Sequence, residues 1–564
     1  MLSTLAIGVT AFAGTAFVPL WSLRQLGLEA PFRYFAADAF YYLAIAKNSL
    51  GRPIYTYDGI RPTNGFNPLW EYYLSAGFAT VASTGAQQLL FAFLSSTFFA
   101  ALGMALVALS FYSLVRRPAL VLVAVVPGFY YLAFGMLDGH FGAPWSFVNG
   151  MESGLSILLF GVLLHLLVVR DALSVLTTSR VLAVSSVVTL LTLSRLDDVF
   201  MFAPIFSLLA LRATTRSEFV RYGLVAASVP TFLIGGYLSY NYTYSGMIFP
   251  ISGVAKSYGL FNPIAWMNTL RELASIAVPP GPGSPWAWSG AAWRAIQLTV
   301  PLACSLCFVW YSSQRRGGVR ATIRSASPPH LAVLLMVGLY IPIKAGYNLV
   351  YVHLWDQGHW YFPLSLILTN LAVLLLIDSF APRGPVPQVQ STWQRRSVLT
   401  VVATGAYLIL SGNAFVQLKH YSTYGADFYN FWRDRATIAA QLDELRPDGG
   451  ILEYDDGIVA YSLPRRTISG MTLAGDAEVL TSSRRGELLE FAYRDGARLI
   501  ASVWYMQEWP DAAFTSDDAL RAAVQTLAWG QKIDSWKFTL LLHKQRPEYH
   551  FVVVAFEPKP PSRP

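Results

Sequence analysis

Residues 35–70 read FAADAFYYLAIAKNSLGRPIYTYDGIRPTNGFNPLW, and this stretch governs how the rest of the chain is interpreted. Its first eleven residues carry a single charge, Asp38, among apolar and aromatic residues that recur on one face of a helix. The TNGFNP segment has the composition of a turn, and Pro68 is typical of the start of a helix. We therefore predict an amphipathic hairpin at a membrane surface, which holds the Asp38 carboxylate against the bilayer.

The composition is that of a protein with many membrane-spanning segments. Of 564 residues, 54% are hydrophobic and only 13% are charged, and a soluble domain does not need so many long apolar runs. The net charge of +8 does not indicate a nucleic-acid partner, because the basic residues are scattered between apolar segments. Cys304 and Cys307 lie in an apolar run, which argues against a metal site or a redox pair there.

We predict a mainly α, polytopic membrane protein with about eleven transmembrane helices. The apolar stretch at 69–83 is short and interrupted by polar residues, so we expect it to lie on the membrane or dip into it. The predicted spans are residues 3–22, 89–114, 119–137, 153–169, 181–194, 199–211, 222–240, 294–313, 331–350, 359–378 and 397–416.

The arginines indicate the orientation of these spans. If 69–83 does not cross the membrane, Arg116 and Arg117 fall in a cytoplasmic turn, and the later arginine-rich turns fall on the same side. The N-terminus is then cytoplasmic, whereas the first loop, residues 23–88, and the C-terminus are extracytoplasmic.

A change of composition near residue 419 divides the chain into a transmembrane domain, residues 1–418, and a C-terminal extracytoplasmic domain, residues 419–564. In the second domain, GGILEYD, ARLIASVWY, FTLLLHK and YHFVVVAFEP have the patterns of strands. FWRDRATIAAQLDELRP and SSRRGELLEFAYRDG have the patterns of helices. We predict a small α/β domain whose role is left open between a lid, an acceptor-binding platform and a structural cap.

The predicted topology collects ionisable residues on the outer face. They are contributed by separate loops and are Asp38, Asp58, Asp138, Glu152, Arg195, Asp197, Asp198, Lys256, Asp356 and His359. Each of them alone is typical of a solvated loop. Charge at a membrane boundary is costly and usually functional, so their crowding on one face favours a common site.

A first outer loop with an acidic residue in an amphipathic helix, many spans and an outer C-terminal domain resemble the GT-C superfamily of glycosyltransferases, which use lipid-phosphate-linked sugars as donors. More specifically, the chain looks like the actinobacterial arabinofuranosyltransferases that add terminal sugars to cell-wall arabinan. Five blocks carry this match in the order of the family, and they are FAADAFYYLAIAKN, NGMESGL, LSRLDDVF, YSGMIFPISGVAKS and DQGHWYFPL. Relatives often have two adjacent acids in the first block, where this chain has Ala37 and then Asp38. The TNGFNPLW block also resembles a broader bacterial branch, so the identity of the sugar stays open.

The resemblance implies a bacterial plasma-membrane enzyme that transfers a sugar, for example arabinofuranose, from a polyprenyl-phosphate donor to an extracytoplasmic glycan or another cell-envelope acceptor. Such a transfer needs a base for the acceptor hydroxyl and cations or hydrogen-bond donors for the departing phosphate. We assign the base to Asp38 and the phosphate contacts to Lys256, Arg195 and His359. The residues expected to contact substrate are Glu152, Asp197, Asp198, Tyr41, Asn64 and Asn67.

Each assignment has a structural alternative. A lysine such as Lys256 can reach to the membrane surface without any ligand, and Arg195 can form an ion pair with Asp197 or Asp198. His359 also fits an aromatic interfacial belt, and Glu152 also fits a cap of the helix that follows it. The sequence assigns no cofactor. A divalent metal ion between Asp38 and Glu152 stays open, although the sequence has no compact ligand cluster.

Two other classes of function compete with the enzyme. One is a membrane transporter, and the other is a non-catalytic assembly protein for lipid-linked glycans. The sequence has no inverted repeat, and its ionisable residues lie on one face rather than at the midplane, so transport is disfavoured.

Overall fold

The computed structural model describes residues 2–36, 38–122, 124–125, 136–137, 144–145, 148–257, 267, 270, 290–352, 361–380, 442, 449–454, 457–463, 465–505, 516–528, 530–545 and 549–560. These residues are mainly helical, as the sequence predicts. The chain divides into two compact units. The first comprises Met1–Tyr34, Phe93–Gly236 and Ser257–Phe428, and the second comprises Phe35–Ala92, Tyr237–Lys256 and Tyr429–Pro564.

Apolar helices make up most of the described part of the first unit. In chain order, the helices that lie wholly or mostly in the first unit begin with Leu2–Leu26, Pro31–Tyr34, Gly85–Val115, Ser153–Leu164, Thr178–Ser194, Phe202–Arg212 and Arg216–Ser245. The later ones are Gly290–Arg315, Val319–Ser325, Pro328–Leu335, Ile341–Val350 and Pro363–Phe380. Short 3₁₀ or π turns at Gly27–Glu29, His165–Val169, Leu196–Met201 and Met336–Tyr340 extend or join them. Strands β1 (Met136–Leu137) and β2 (Pro144–Trp145) form a small antiparallel ribbon.

Four of the described helices are long and apolar enough to cross a membrane. They are Thr4–Glu29, Gly85–Val115, Arg216–Ser245 and Pro328–Val350. Shorter apolar helices at Ser153–Val169, Thr178–Ser194 and Pro363–Ser379 coincide with three further predicted spans. Most of the span predicted at 119–137 and all of the one predicted at 397–416 lie outside the described residues. The total of about eleven spans therefore stays a prediction.

Glycines bring two of the helices of the first unit into backbone contact. A Cβ atom added at Gly154 would lie 2.5 Å from the carbonyl oxygen of Ser96. One added at Gly161 would lie 2.5 Å from the carbonyl oxygen of Gly103, and one added at Gly103 would lie 2.6 Å from the carbonyl of Ile157. Such close packing between Gly85–Val115 and Ser153–Leu164 requires small residues, as is common between membrane helices.

The hairpin predicted at residues 35–70 belongs to the second unit. Helix Ala39–Asn48 follows Asp38, and its residues from Ala39 to Ala46 are buried. Helix Pro68–Thr80 begins at Pro68 and has only 13 residues, which agrees with the expectation that 69–83 is too short to span comfortably. The short helix Ile251–Ala255 also lies in this unit.

A five-stranded sheet forms the C-terminal part of the second unit. Its strands are β3 (Gly450–Glu453), β4 (Thr467–Ser469), β5 (Ala497–Tyr505), β6 (Trp536–Gln545) and β7 (Tyr549–Pro558), in the order β4-β3-β5-β7-β6. Strand β3 pairs in parallel with β4 and β5, whereas β7 pairs antiparallel with β5 and β6. Helices Ile458–Ser462, Ala477–Arg484, Leu488–Arg494 and Asp517–Leu527 complete the α/β fold, and the predicted strands at 449–455, 497–505, 538–544 and 549–558 are confirmed.

One helix prediction in this region is wrong. Residues 482–496 do not form a single helix, because the chain turns at Gly486, whose φ is +72°, between helices that end at Arg484 and restart at Leu488. This left-handed backbone conformation is tolerated by glycine and interrupts the helical pattern. The helix predicted at 431–447 and the domain boundary predicted at 418 and 419 lie largely outside the described residues, and they stay predictions.

Candidate functional site

Asp38 and Lys256, which the sequence separates by more than two hundred residues, form an ion pair in the second unit. The Lys256 Nζ lies 3.5 Å from Asp38 Oδ2. Asp38 immediately precedes helix Ala39–Asn48, and Lys256 immediately follows helix Ile251–Ala255. Their side chains are 21% and 16% exposed, so both are largely sheltered but accessible from outside. The structure therefore brings together the residues assigned as base and as phosphate ligand.

Asn64 fixes the chain segment that leads to Lys256. Its Nδ2 donates to the carbonyl oxygens of Met247 and Phe249, at 3.2 and 3.1 Å, and its Oδ1 accepts from the N–H of Ile251 at 3.0 Å. All three partners are main-chain groups, so the buried Asn64 amide shapes the loop that ends at Lys256. A substrate contact by Asn64, as predicted, would have to share these bonds.

Tyr41 and Asn67 also lie in the second unit, and both contact neighbouring aromatic residues. Tyr41 is 4% exposed, and its ring meets that of Tyr57 edge to face at a centroid distance of 5.9 Å. Asn67 Nδ2 donates to the Tyr42 hydroxyl at 2.9 Å. These contacts hold the hairpin together, and the predicted substrate contacts of Tyr41 and Asn67 stay predictions.

Asp58 also lies in the second unit, where its Oδ2 is 3.2 Å from Arg466 Nη2. The described candidates of the first unit, Glu152, Arg195, Asp197 and Asp198, meet in a buried ionic network. Arg195 lies at the end of helix Thr178–Ser194, 2.8 Å from Glu152 Oε1 and 2.8 Å from Asp197 Oδ1. The Arg195 guanidinium also lies over the Tyr361 ring, 4.4 Å from its centroid. The ion pair that the sequence left open as an alternative for Arg195 is therefore present with Asp197, and a second one with Glu152.

Two residues that the sequence did not single out complete this network. The Lys344 Nζ lies 2.5 Å from Asp198 Oδ1 and 3.3 Å from Asp197 Oδ2. The Tyr340 hydroxyl donates to the same Asp198 oxygen at 2.6 Å. A lysine in the apolar helix Ile341–Val350 was a detectable signal, because an intramembrane charge needs a partner. Which partner it has depends on packing between distant segments, which the sequence pattern does not report.

The network shifts the pKa values of its members in different directions. Burial opposes the ionisation of Asp197, but Arg195 and Lys344 outweigh it and keep the pKa of this carboxyl below its ordinary value. Burial raises the pKa of the Asp198 carboxyl, and Lys344 offsets this effect only in part. Burial also disfavours charge on Arg195, yet Asp197 and Glu152 raise the pKa of its guanidinium above the usual range. Arg195 therefore stays charged, and Asp198 takes up a proton more readily than Asp197 does.

The structure does not describe three of the residues that the sequence singled out. His359, Asp138 and Asp356 lie outside the described residues. Within the described ranges, no group of three or more His, Cys, Asp or Glu side chains is placed to hold a metal ion. Asp38 belongs to the second unit and Glu152 to the first, so a metal ion between them is not assigned.

Comparisons with known proteins do not assign a family. No family model matches the chain, and no curated protein matches it. Solved structures do match. The archaeal oligosaccharyltransferase AglB from Archaeoglobus fulgidus, in complex with an inhibitory peptide and a dolichol-phosphate, is similar with a TM-score of 0.48 and 13% sequence identity, over 89% of this chain and 69% of AglB. ArnT from Cupriavidus metallidurans in the apo state is similar with a TM-score of 0.44 and 13% identity, over 96% of this chain and 98% of ArnT.

Proposed function

We propose that this protein is a membrane glycosyltransferase of the GT-C type, which transfers a sugar from a polyprenyl-phosphate donor to an extracytoplasmic glycan or another cell-envelope acceptor. The resemblance of the sequence to this superfamily, and of its five blocks to the arabinofuranosyltransferases, supports the proposal. The single observation that carries it is the Asp38–Lys256 pair, because it places a carboxylate beside an ammonium in a partly accessible position.

The two groups suit two halves of one reaction. Transfer forms a bond between an acceptor oxygen and the anomeric carbon of the donor, while the bond from that carbon to the phosphate oxygen breaks. The Asp38 carboxylate accepts the proton of the attacking hydroxyl. The Lys256 ammonium stabilises the negative charge that develops on the departing lipid phosphate. When substrate is absent, each group neutralises the other across 3.5 Å.

The buried network of the first unit has a different part in this proposal. Arg195 is already engaged by Glu152 and Asp197, so the contact that we propose between Arg195 and a phosphate would have to share these ion pairs. Glu152 and Asp197 orient the guanidinium. Arabinofuranose is the sugar we propose, on the resemblance to the actinobacterial family.

Turnover by Asp38→Asn tests the proposal. The full-length protein in nanodiscs would be incubated with radiolabelled polyprenyl-phosphate arabinofuranose and an arabinan oligosaccharide, with polyprenyl-phosphate mannose as a second donor. The asparagine retains the shape of the carboxylate but cannot take a proton, so turnover should fall by roughly 100-fold or more while donor binding is retained. Asp534→Asn makes the same chemical change on a fully exposed side chain and should leave turnover unchanged.

The outcomes separate the competing functions. Transfer by wild type that is lost in Asp38→Asn supports the enzyme with Asp38 as base. Transfer that survives in Asp38→Asn removes Asp38 from this role and makes Glu152 and Asp198 the next carboxyls to test. Binding of either donor without any transfer by wild type would favour a transporter or a non-catalytic assembly protein.

A further inference from the structure

Gly457 brings a turn of the C-terminal domain against the backbone of the helix that begins after Asp38. Its φ is +80°, and a Cβ atom added there would lie 2.8 Å from the Tyr41 nitrogen and 2.9 Å from the Phe40 carbonyl carbon. Both the left-handed conformation and the close approach require glycine. The turn and helix Ala39–Asn48 therefore touch main chain to main chain, and the Tyr41 ring, with its Cδ1 also 2.8 Å from the added Cβ, takes part in the contact.

Glu453, at the end of strand β3, locks this turn to the first loop. Its buried carboxylate accepts from the N–H groups of Val459 and Ala460 at 3.0 and 3.1 Å, and from the Tyr57 hydroxyl at 2.9 Å. The Tyr57 ring in turn meets the Tyr41 ring. One carboxylate thus joins the helix Ile458–Ser462 to the loop that folds over helix Ala39–Asn48, and hydrogen bonds to a buried charge are among the stronger ones.

Tyr461, in helix Ile458–Ser462, contacts helix Ala39–Asn48 along its length. Its carbonyl oxygen accepts from Lys47 Nζ at 2.6 Å, near the end of the helix. Its ring lies 6.2 Å from that of Phe40, near the start of the helix. Its hydroxyl donates to the carbonyl oxygen of Gly85 at 2.7 Å. A single residue of the C-terminal domain therefore contacts both ends of the ten-residue helix.

The other member of the ion pair has its own contact with the C-terminal domain. Arg484 Nη2 donates to the carbonyl oxygen of Val254 at 3.0 Å, two residues before Lys256. Gly65, beside Asn64, approaches so closely that an added Cβ atom would lie 2.2 Å from the carbonyl oxygen of Leu473. The segments that carry Asp38 and Lys256 are thus both packed against residues 450–490.

We propose that the C-terminal α/β domain sets the position of the Asp38 carboxylate relative to Lys256, and that Glu453 and Gly457 are its positioning residues. The inference rests on the proposed function, since it gives these residues a role in a transfer that Asp38 performs. In this role the domain stays in contact with the site, unlike a lid, which would move away when substrate enters. It also contributes to catalysis, unlike a cap that only protects the surface. A displacement of about 1 Å in a catalytic group is enough to lower turnover about 100-fold.

Hydrogen exchange tests whether the turn holds the helix. In Gly457→Ala, amides 39–48 of the full-length protein should exchange at least about tenfold faster than in wild type, because the added Cβ forces the turn away from the helix. Gly530→Ala is the matched control, since Gly530 has a φ of +77° but nothing within 4 Å of an added Cβ. The control carries similar backbone strain without the contact, so its amides 39–48 should exchange at the wild-type rate.

Turnover with the radiolabelled donor and oligosaccharide tests whether the position matters for transfer. Glu453→Gln should lower kcat roughly tenfold or more with little change in the donor KM. Tyr57→Phe removes only the hydrogen bond from the first loop to Glu453, so it should lower kcat by a smaller factor than Glu453→Gln does. Glu490→Gln, an exposed side chain of the same domain, should not change it. In the Asp38→Asn background, neither Glu453→Gln nor Tyr57→Phe should reduce the residual rate more than about twofold, because they act through Asp38.

Four outcomes decide the inference. Faster exchange in Gly457→Ala, together with loss of the Glu453 and Tyr57 effects in the Asp38→Asn background, supports it. Unchanged exchange overturns it, because the contact would then not restrain the helix. Additive losses in the Asp38→Asn background also overturn it, since Glu453 would then act on stability alone. Normal turnover in Asp38→Asn shows that Asp38 is not the base, and it thereby also overturns the positioning role of Glu453 and Gly457. Faster exchange of amides 39–48 in Gly457→Ala would in that case still show that the turn restrains the helix.

Discussion

Replacing Lys344 with methionine removes the cation that two buried carboxyls share. The side chain is 2% exposed, and its Nζ contacts Asp198 Oδ1 and Asp197 Oδ2 at 2.5 and 3.3 Å. In the variant, Asp197 keeps its contact with Arg195, whereas Asp198 loses its direct ion pair. Breaking one buried pair in this way typically costs about 3–5 kcal/mol.

Protonation of Asp198 limits that cost. Bringing a carboxyl with an unfolded pKa of about 3.9 to its neutral form at pH 7 costs about 4 kcal/mol, because each unit of pKa corresponds to about 1.4 kcal/mol. We therefore expect Lys344→Met to lose about 3–4 kcal/mol of unfolding free energy at pH 7.

The pH dependence of the loss has a definite sign. Burial already raises the pKa of Asp198 in the folded protein, and loss of Lys344 raises it further. A folded-state pKa above the unfolded value stabilises the protein at low pH, and this stabilisation is lost as the pH rises toward the folded pKa. The deficit of Lys344→Met relative to wild type should therefore shrink by roughly 1–3 kcal/mol between pH 7 and pH 5.

Equilibrium unfolding in mixed micelles, followed by tryptophan fluorescence at both pH values, measures the deficit. Lys344→Met/Asp198→Asn removes both charges and should lie within about 1 kcal/mol of wild type at pH 7. Lys256→Met is the matched control on a partly exposed pair, where the loss should be below about 1 kcal/mol. A deficit in Lys344→Met that is independent of pH, or that the double variant does not relieve, would refute the electrostatic reasoning.

Three further predictions concern the donor, the topology and the helix contact. Lys256→Ala should raise the donor KM or lower turnover by roughly 10- to 1,000-fold in the radiolabel assay, and an unchanged rate at all donor concentrations would show that Lys256 does not bind the phosphate. A reporter fused after Arg117 should behave as cytoplasmic and one fused after His420 as extracytoplasmic, and the reverse result would invert the predicted orientation. Gly154→Val should destabilise the protein by about 1–3 kcal/mol in the same unfolding assay, because its Cβ would lie 2.5 Å from the Ser96 oxygen; Gly223→Ala, with nothing within 4 Å, should show no loss.

The sequence predicted the mainly helical character of the described residues, because an apolar run long enough for a membrane has few alternatives to a helix. It also predicted four of the five strands of the sheet. It missed β4 (Thr467–Ser469), which has only three residues and no alternation long enough to recognise. It missed the helix Asp517–Leu527 as well, although Ser516 caps its start and Asp517 and Asp518 occupy its first turn. That start signal was available in the sequence.

The candidate site was predictable only by the type of its residues. Charges in or beside apolar helices singled out Asp38, Arg195, Asp198 and Lys256, because such charges are rare without a function or a partner. Their grouping was not predictable, since pairs such as Asp38 with Lys256 join segments far apart in the chain. Glu453 gave no signal at all, because a glutamate at the end of a strand is ordinary until its hydrogen-bond partners are known.

The glycine contacts between Gly85–Val115 and Ser153–Leu164 have a mechanical consequence. Gly103 and Gly161 meet at one level and Ser96 and Gly154 meet seven residues away, so the two helices interlock at two points along their length. Axial slip of one helix past the other would drive side chains such as Leu106 or Ile157 into a gap that accommodates only a hydrogen atom. If the bilayer around them becomes thicker or thinner, we therefore expect the two helices to tilt together as one rigid unit and not to slide past each other.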